Sequence, residues 1–215
     1  MKRRKGSFIV LEGLDGSGTT TQAALLQDYF RGLERPCRLT CEPTDEPVGK
    51  LIRDALSGRL ASPGTGETVF FSERARCLLF AADRLEHSRE IEASRCAGDQ
   101  VICDRYILSS IAYQTLDETI SPDWVIEVNQ GCSVPDLTVF LDVPVGLCLK
   151  RLHERKDRPT VYEKKSLLTA IERNYRRTIS FYEKRFGLFR SVDGTLAPKR
   201  VRDAIIEVIE SGLDR

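Results

Sequence analysis

The stretch FIVLEGLDGSGTTT, residues 8–21, joins an apolar run to a glycine-rich turn. Behind the turn, apolar residues recur at helical spacing, which predicts a helix from about Thr19 to Leu33. Glycines allow the backbone to curl until its N–H groups point inward, and the N-terminus of the helix adds about half a positive charge. The stretch therefore predicts a phosphate-binding loop between a buried strand and a helix, in preference to a tight turn that binds nothing.

The loop matches the nucleotide-binding P-loop pattern, G-x-x-x-x-G-K-[ST], except at the lysine. Gly13 and Gly18 are the pattern glycines, and Thr20 offers a hydroxyl to Mg²⁺. Thr19 stands where the pattern has the lysine that reaches the β and γ phosphates. The loss of such a charge is expected to cost on the order of 10² to 10³ in rate unless another cation replaces it. The predicted ATP-binding residues are those of the whole loop: Gly13, Leu14, Asp15, Gly16, Ser17, Gly18, Thr19, Thr20 and Thr21.

Short runs rich in Val, Ile and Phe recur along the chain, and amphipathic stretches separate them. This alternation predicts parallel strands joined by crossover helices. We expect a single α/β domain over residues 1–215 with the three-layer P-loop NTPase fold, in which a five-stranded parallel sheet is flanked by helices. The expected strands are at residues 8–11, 38–41, 101–103, 139–141 and 189–192, and further helices at about 48–56, 67–94, 122–129, 145–152, 165–186 and 198–209.

Composition narrows the classes of partner. The chain has 215 residues, a formal net charge of +1 and a pI near 7.5, so it has no global attraction for nucleic acid or an anionic membrane. The apolar run behind the basic start is far shorter than a secretory signal or a membrane span. We therefore expect a cytoplasmic protein with no nucleic-acid or membrane partner.

Seven scattered cysteines without a Cys-x-x-Cys pair predict reduced structural thiols rather than a zinc site or disulfides.

Downstream of the loop, the chain contains Glu42-Pro43, LFAADR at residues 79–84, Asp104-Arg105-Tyr106 and Ala112-Tyr113-Gln114. In order and spacing, the loop and these motifs resemble those of thymidylate kinases over nearly the whole chain. The resemblance implies transfer of a phosphoryl group from ATP to dTMP, giving dTDP, with Mg²⁺ as cofactor and ATP as co-substrate. It also implies a homodimer.

The resemblance also implies where the acceptor phosphate and the metal bind. Asp15 is expected to contact the sugar 3′-hydroxyl, with Glu12 as a candidate helper. Arg105 is expected to bind the acceptor phosphate, because its rigid fork suits phosphate oxygens. Asp104 closes an apolar strand and is expected to place the waters of Mg²⁺, so Thr20 and Asp104 are the candidate metal residues. A strand-end ion pair is the alternative for Asp104 and Arg105.

The base of the acceptor is expected against the helix that contains LFAADR. Phe80 and Arg84 lie one turn apart on one helical face, as a pocket wall requires. The resemblance implies that Phe80 stacks on thymine and that Arg84 donates to its exocyclic oxygen; a packed core Phe beside a surface Arg is the alternative. The ring of Tyr113 is expected to crowd the 2′ position and so to favour deoxyribose. The candidate dTMP-binding residues are Glu12, Asp15, Pro43, Phe80, Arg84, Arg105, Ser110, Tyr113 and Gln114.

The basic segment that begins at Arg151 lies where thymidylate kinases have a mobile lid, and we place the lid at about residues 151–164. Because the loop has Gly16 rather than an arginine, the chain resembles the subgroup in which the lid supplies the phosphate-clamping arginine. Arg155 and Arg158 are the candidates, and either also offers a charge in place of the missing lysine. A solvated charged loop is the alternative. The expected catalytic residues are Asp15, Asp104, Arg105, Arg155 and Arg158.

One departure from the family pattern concerns the acceptor. The segment Thr44-Asp45-Glu46-Pro47 is acidic where many relatives carry an arginine or glycines, and Arg53 is a candidate replacement. Two alternative functions stay open: a kinase for another nucleoside or nucleoside monophosphate, and a P-loop nucleotide-binding protein with little or no kinase activity. Thr19 favours the second of these. The dTMP kinase is favoured by the retention of Asp15, Thr20, Asp104 and Arg105, because a binding module has less need of them.

Overall fold

The computed structural model describes residues 5–154 and 164–213, and strands alternate with helices along these residues. The strands are β1 (Phe8–Gly13), β2 (Cys37–Cys41), β3 (Gln100–Asp104), β4 (Leu137–Asp142) and β5 (Phe189–Asp193). The helices are α1 (Thr19–Gly32), α2 (Pro47–Leu56), α3 (Glu73–Ala97), α4 (Ile107–Gln114), α5 (Pro122–Val128), α6 (Val145–His153), α7 (Lys165–Phe186) and α8 (Pro198–Leu213). The predicted α/β class is confirmed.

The strands form one parallel sheet of five strands in the order β2-β3-β1-β4-β5. β1 occupies the centre and is buried along its whole length, as expected for a strand with helices on both faces. The order places the carboxyl ends of β1 and β3 side by side, so the residues that follow Gly13 and Asp104 meet at one edge. That edge is where an open parallel sheet binds its ligands.

Two hydrophobic clusters cover the sheet, one on each face. Side chains alternate along β1, so Phe8 and Val10 join one cluster while Ile9 and Leu11 join the other. The first cluster contains apolar residues of α3, α4, α5, α6 and α7, and the second contains those of α1 and α8. This arrangement confirms the predicted three layers. Within residues 5–154 and 164–213, no helix combines the length and the apolar character needed to cross a membrane.

The start of α3 differs from its prediction. The helix begins at Glu73 rather than at residue 67, because Ser72 is its N-cap and the Ser72 hydroxyl accepts the N–H of Ala75 at 3.3 Å. Upstream of the cap, Thr68 pairs with Ala61 in an isolated antiparallel bridge. The predicted start was therefore wrong, because the apolar pattern extends past a capping serine that it does not reveal.

Candidate active site

The loop between β1 and α1 has the geometry of a phosphate-binding turn. Gly16 and Gly18 have φ values of 84° and 101°, in the left-handed region that glycine adopts without steric cost. A Cβ atom on Gly16 would lie 2.5 Å from the carbonyl oxygen of Cys148, so α6 excludes a side chain there. The N–H of Ser17 donates to the carbonyl oxygen of Leu14 at 3.0 Å and closes the turn. The loop thus lies between a strand and a helix, as the motif requires.

The positive end of α1 faces this loop. Thr19 is the first residue of the helix and is buried, and Gly18 caps the helix without a side-chain hydrogen bond. The first turn of α1 contains no acidic residue, so no carboxylate on the helix neutralises its positive end. Residues 13–21 contain neither lysine nor arginine. A basic side chain for a bound phosphate must therefore come from another part of the chain.

Thr20 and Asp104 meet across the edge of the sheet. Thr20 Oγ1 donates to Asp104 Oδ2 at 2.5 Å, and Asp104 Oδ1 is buried without a hydrogen-bond partner among the residues that the structure describes. Those residues contain no group of three or more His, Cys, Asp or Glu side chains that could enclose a metal ion. A site for Mg²⁺ needs less protein than that, because this ion keeps several waters and is completed by substrate phosphates. The hydroxyl and the carboxylate therefore fit the predicted metal role.

A cavity of about 360 Å³ opens beside the loop. The loop, the segment after β2, and the helices α2, α3 and α4 form its walls. The predicted acceptor residues other than Glu12 all line this cavity: Asp15, Pro43, Phe80, Arg84, Arg105, Ser110, Tyr113 and Gln114. Leu56, Ser57 and Arg59 also line it, and no sequence motif marked them.

Phe80 and Arg84 differ sharply in exposure. Phe80 is partly exposed, whereas Arg84 is 1 % exposed, so the alternative of a core Phe beside a surface Arg is wrong. Arg84 Nε donates to Glu42 Oε2 at 2.7 Å. Its Nη1 donates to Asn129 Oδ1 at 2.5 Å, and its Nη2 donates to Ser110 Oγ at 3.0 Å. Arg84 is thus fixed at the back of the cavity, behind the partly exposed ring of Phe80.

Glu12 is not among the residues that line the cavity, and its role as a helper of the acceptor site stays a prediction. The residue is 0 % exposed. Its Oε1 accepts the N–H groups of Tyr106 at 2.9 Å and Ser109 at 3.0 Å, and its Oε2 accepts the Ser109 hydroxyl at 2.6 Å. Burial raises the pKa of Glu12, although the Ser109 hydrogen bonds and the charge of Arg105 oppose the rise. Glu12 therefore anchors the turn after β3.

Arg105 occupies that turn, with a φ of 72° that is uncommon for a residue other than glycine. Its Nη1 donates to the carbonyl oxygen of Gly13 at 2.8 Å, and its Nη2 donates to Asp15 Oδ1 at 2.6 Å. The guanidinium lies 5.5 Å from the ring centroid of Tyr113. Arg105 also lines the cavity, so its guanidinium borders the space that a phosphate would occupy.

Arg53 supplies a second cation to the cavity, while the acidic segment after Pro43 faces away from it. Arg53 lines the cavity, and its Nη1 donates to Asp45 Oδ1 at 2.9 Å. Asp45 and Glu46 line a separate cavity of about 880 Å³ between α3 and β2. Thr44 is fixed by the buried carboxylate of Asp83, which accepts its N–H at 2.8 Å and its hydroxyl at 2.6 Å. The segment that departs from the family pattern therefore does not line the predicted acceptor site with carboxylates.

Of the predicted lid, residues 151–154 and residue 164 are described. Arg151 lies in α6, where its Nη1 donates to the carbonyl oxygen of Ser17 and its Nη2 to that of Gly194, each at 3.0 Å. The bond to Ser17 attaches α6 to the phosphate-binding loop, and the bond to Gly194 attaches it to the segment after β5. Arg155 and Arg158, the predicted clamping arginines, lie outside the described residues.

Comparison with known proteins agrees with this geometry. A protein-family model described as Thymidylate kinase matches residues 11–205. A probable thymidylate kinase of Methanococcus aeolicus is 36 % identical over 211 residues, which cover 97 % of this chain and 96 % of the relative. Another, of Pyrococcus abyssi, is 34 % identical over 210 residues, which cover 97 % and 98 %. A solved structure of thymidylate kinase from Candida albicans matches with a TM-score of 0.77 at 30 % identity, covering 96 % of this chain and 92 % of that one. The chain belongs to the thymidylate kinase family.

Proposed function

We propose that this protein transfers the γ-phosphoryl group of ATP to dTMP and so produces ADP and dTDP. The observation that carries the proposal is the cavity beside the phosphate-binding loop, which is lined by a partly exposed aromatic ring, a fixed arginine behind it and a second guanidinium beside the loop. These three features suit the base, its polar edge and the phosphate of a nucleoside monophosphate. Because all three features line one cavity, a single acceptor molecule can contact them together.

In this proposal the thymine ring lies against Phe80, and Arg84 faces its exocyclic oxygen. Gln114 lies in the same wall, and its buried Oε1 has no hydrogen-bond partner within the described part of the chain. Buried amide oxygens are rarely left unpaired, so the N–H group of a base is a suitable donor for it. The ring of Tyr113 occupies the space that a 2′-hydroxyl would need.

The acceptor phosphate is held by Arg105 and Arg53, and the sugar 3′-hydroxyl by Asp15. An oxygen of this phosphate attacks the γ-phosphorus of ATP in line, and the bond from that phosphorus to the β–γ bridging oxygen breaks. Positioning and charge neutralisation supply most of the catalysis in such a transfer. The N–H groups of the loop and the N-terminus of α1 neutralise the phosphates of ATP. When Mg²⁺ binds with ATP, the Thr20 hydroxyl would hold the ion and Asp104 would hold its waters, and the ion would neutralise charge on the ATP phosphates.

We further propose that residues 151–164 close over ATP as a lid of a single kinase domain, and that Arg155 or Arg158 supplies the charge that Thr19 does not. This part of the proposal rests on the family resemblance and on the absence of a basic residue in the loop itself. A cytoplasmic location and a homodimer are proposed on the same resemblance. The dimer has one further support, because Phe70, Leu78 and Leu85 in and just before α3 are 71 %, 50 % and 46 % exposed.

One observation favours a second candidate function, a nucleotide-binding protein with little kinase activity. Thr19 begins α1 at the position of the P-loop lysine. The loss of that cation is expected to lower the rate of transfer by a factor on the order of 10² to 10³. The two functions differ in turnover rather than in binding, so an activity measurement separates them.

The test is ADP formation by the purified protein with Mg·ATP and either dTMP, dUMP, dCMP or no acceptor, beside the variants Thr19→Lys and Thr19→Met. Methionine matches the length of lysine without its charge and so controls for side-chain bulk. We expect the unaltered protein to turn over dTMP preferentially and Thr19→Lys to exceed Thr19→Met. Turnover by Thr19→Lys alone would replace the kinase proposal with the binding function. Preference for another acceptor would change the assigned substrate.

A further inference from the structure

The hydroxyl of Tyr175 lies where three separate segments meet beneath the proposed acceptor site. Tyr175 belongs to α7 and is fully buried. Its oxygen is 3.4 Å from Arg105 Nη1, 2.9 Å from Ser109 Oγ and 3.1 Å from Glu12 Oε2. The same hydroxyl is 3.3 Å from the carbonyl oxygen of Gly13, the first residue of the loop. One phenol thus touches the loop, the turn after β3 and the start of α4.

The hydrogen bonds in this group can be assigned from the number of protons. Ser109 has one hydroxyl hydrogen, and the 2.6 Å contact assigns it to Glu12. Tyr175 then donates to Ser109, to Glu12 or to the carbonyl oxygen of Gly13. Its oxygen can accept from Arg105 Nη1 at 3.4 Å, beside Ser109 Oγ, which accepts from the same nitrogen at 3.2 Å. Burial raises the pKa of Tyr175 well above its usual value, so the phenol keeps its proton at neutral pH. Tyr175 is therefore a neutral acceptor for one edge of the Arg105 fork.

Arg105 needs such support because its backbone is unfavourable. A non-glycine residue with a positive φ keeps that conformation only when its surroundings determine it. The ring of Tyr175 is itself held, with its centroid 5.1 Å from that of Phe140 and 6.2 Å from that of Tyr113. The contact between Tyr175 and Arg105 is thus made by a side chain with little freedom to move.

We propose that Tyr175 is a positioning residue that holds the Arg105 guanidinium in the orientation that binds the acceptor phosphate. Through this contact, α7, the first helix after the proposed lid, is attached directly to the phosphate-binding arginine. The inference rests on the proposed function, because it assumes that Arg105 binds the phosphate of dTMP. Nothing in the sequence motifs marks Tyr175, which lies about seventy residues beyond Arg105.

The test compares two variants that each remove one buried phenolic oxygen from α7. Tyr175→Phe removes the contact with Arg105. Tyr182→Phe removes a hydroxyl that is 3.0 Å from Thr138 Oγ1, away from the cavity, and serves as the matched control. Calorimetric titration measures the affinity of each protein for dTMP and for thymidine, which has the same base and sugar without the phosphate. We expect Tyr175→Phe to weaken dTMP binding about tenfold, to leave thymidine binding unchanged and to lower kcat. Tyr182→Phe should behave as the unaltered protein.

A double variant shows whether Tyr175 acts through Arg105. In an Arg105→Met background, Tyr175→Phe should have no further effect on dTMP affinity, because the group that it positions is gone. Equal weakening of dTMP and thymidine, or an unreduced effect in that background, would overturn the positioning role. If the unaltered protein binds thymidine as well as dTMP, the proposed phosphate site fails first. If it discriminates but Tyr175→Phe does not differ from Tyr182→Phe, only the role of Tyr175 fails.

Discussion

Replacement of Arg84 by methionine is expected to cost about 3 kcal/mol of the free energy of unfolding. The side chains of Arg84 and Glu42 are 1 % and 2 % exposed, and their contact is 2.7 Å. Removal of one partner of a buried pair costs about 3–5 kcal/mol, because the other charge stays buried without compensation. We expect the lower end of this range, because His87 Nδ1 lies 3.0 Å from Glu42 Oε1 and its hydrogen bond to the carboxylate remains in the variant.

The measurement is urea unfolding followed by the fluorescence of Trp124, the single tryptophan of the chain. Arg89→Met is the matched control on the same helix, because the Arg89 side chain is 79 % exposed and its ion pair with Glu86 should contribute less than about 1 kcal/mol. Adding Glu42→Gln to Arg84→Met should recover about 1–2 kcal/mol, because the uncompensated carboxylate is removed. Equal unfolding midpoints for the two single methionine variants, at unchanged slope, would refute the buried ion pair as the source of this stability.

The other predictions concern the cavity wall and the assembly. Gln114→Met should weaken dTMP binding about tenfold in calorimetric titration while leaving the urea midpoint unchanged or higher, because it removes a buried amide oxygen that has no partner among the described residues; a lower midpoint with intact dTMP affinity would contradict the proposed contact. Light scattering after size exclusion should give twice the 24.3 kDa mass of one chain, and Leu78→Glu with Leu85→Glu should reduce it to a single chain. A single-chain mass for the unaltered protein would contradict the dimer.

Local sequence patterns predicted the strands and the loop because each of these features is encoded within a short stretch. The apolar run, the glycines and the helical spacing of residues 8–33 need no distant contact to be recognised. The Asp104-Arg105 pair is also recognised from local sequence, because it lies at the end of an apolar strand. The predicted start of α3 was wrong. The apolar pattern and the serine cap indicate different boundaries there, and the observed boundary is the one that the cap determines.

Side-chain direction was harder to predict than position. Glu12 is next to Gly13 in the loop motif, yet its carboxylate points to the face of the sheet that carries Phe8 and Val10. The period of two along β1 would have indicated this face, and the buried donors there explain why a carboxylate is tolerated. Tyr175 carried no such signal, because its contacts come from segments far away in the chain. Its role emerges only when α7 is packed against α4.

The central place of β1 has a consequence for synthesis of the protein. The strand that precedes the loop is made first, but both of its partners, β3 and β4, are made much later, and the Phe8 N–H bonds to Asp136 across 128 residues. Non-local parallel pairing of this kind is slow to form. A ribosome-bound chain that stops short of β4 therefore exposes unpaired backbone N–H and C=O groups along one edge of β1. Unpaired edges of this kind make a partly synthesised chain prone to aggregation, and this edge is covered only after β4, which ends at Asp142, has left the ribosome.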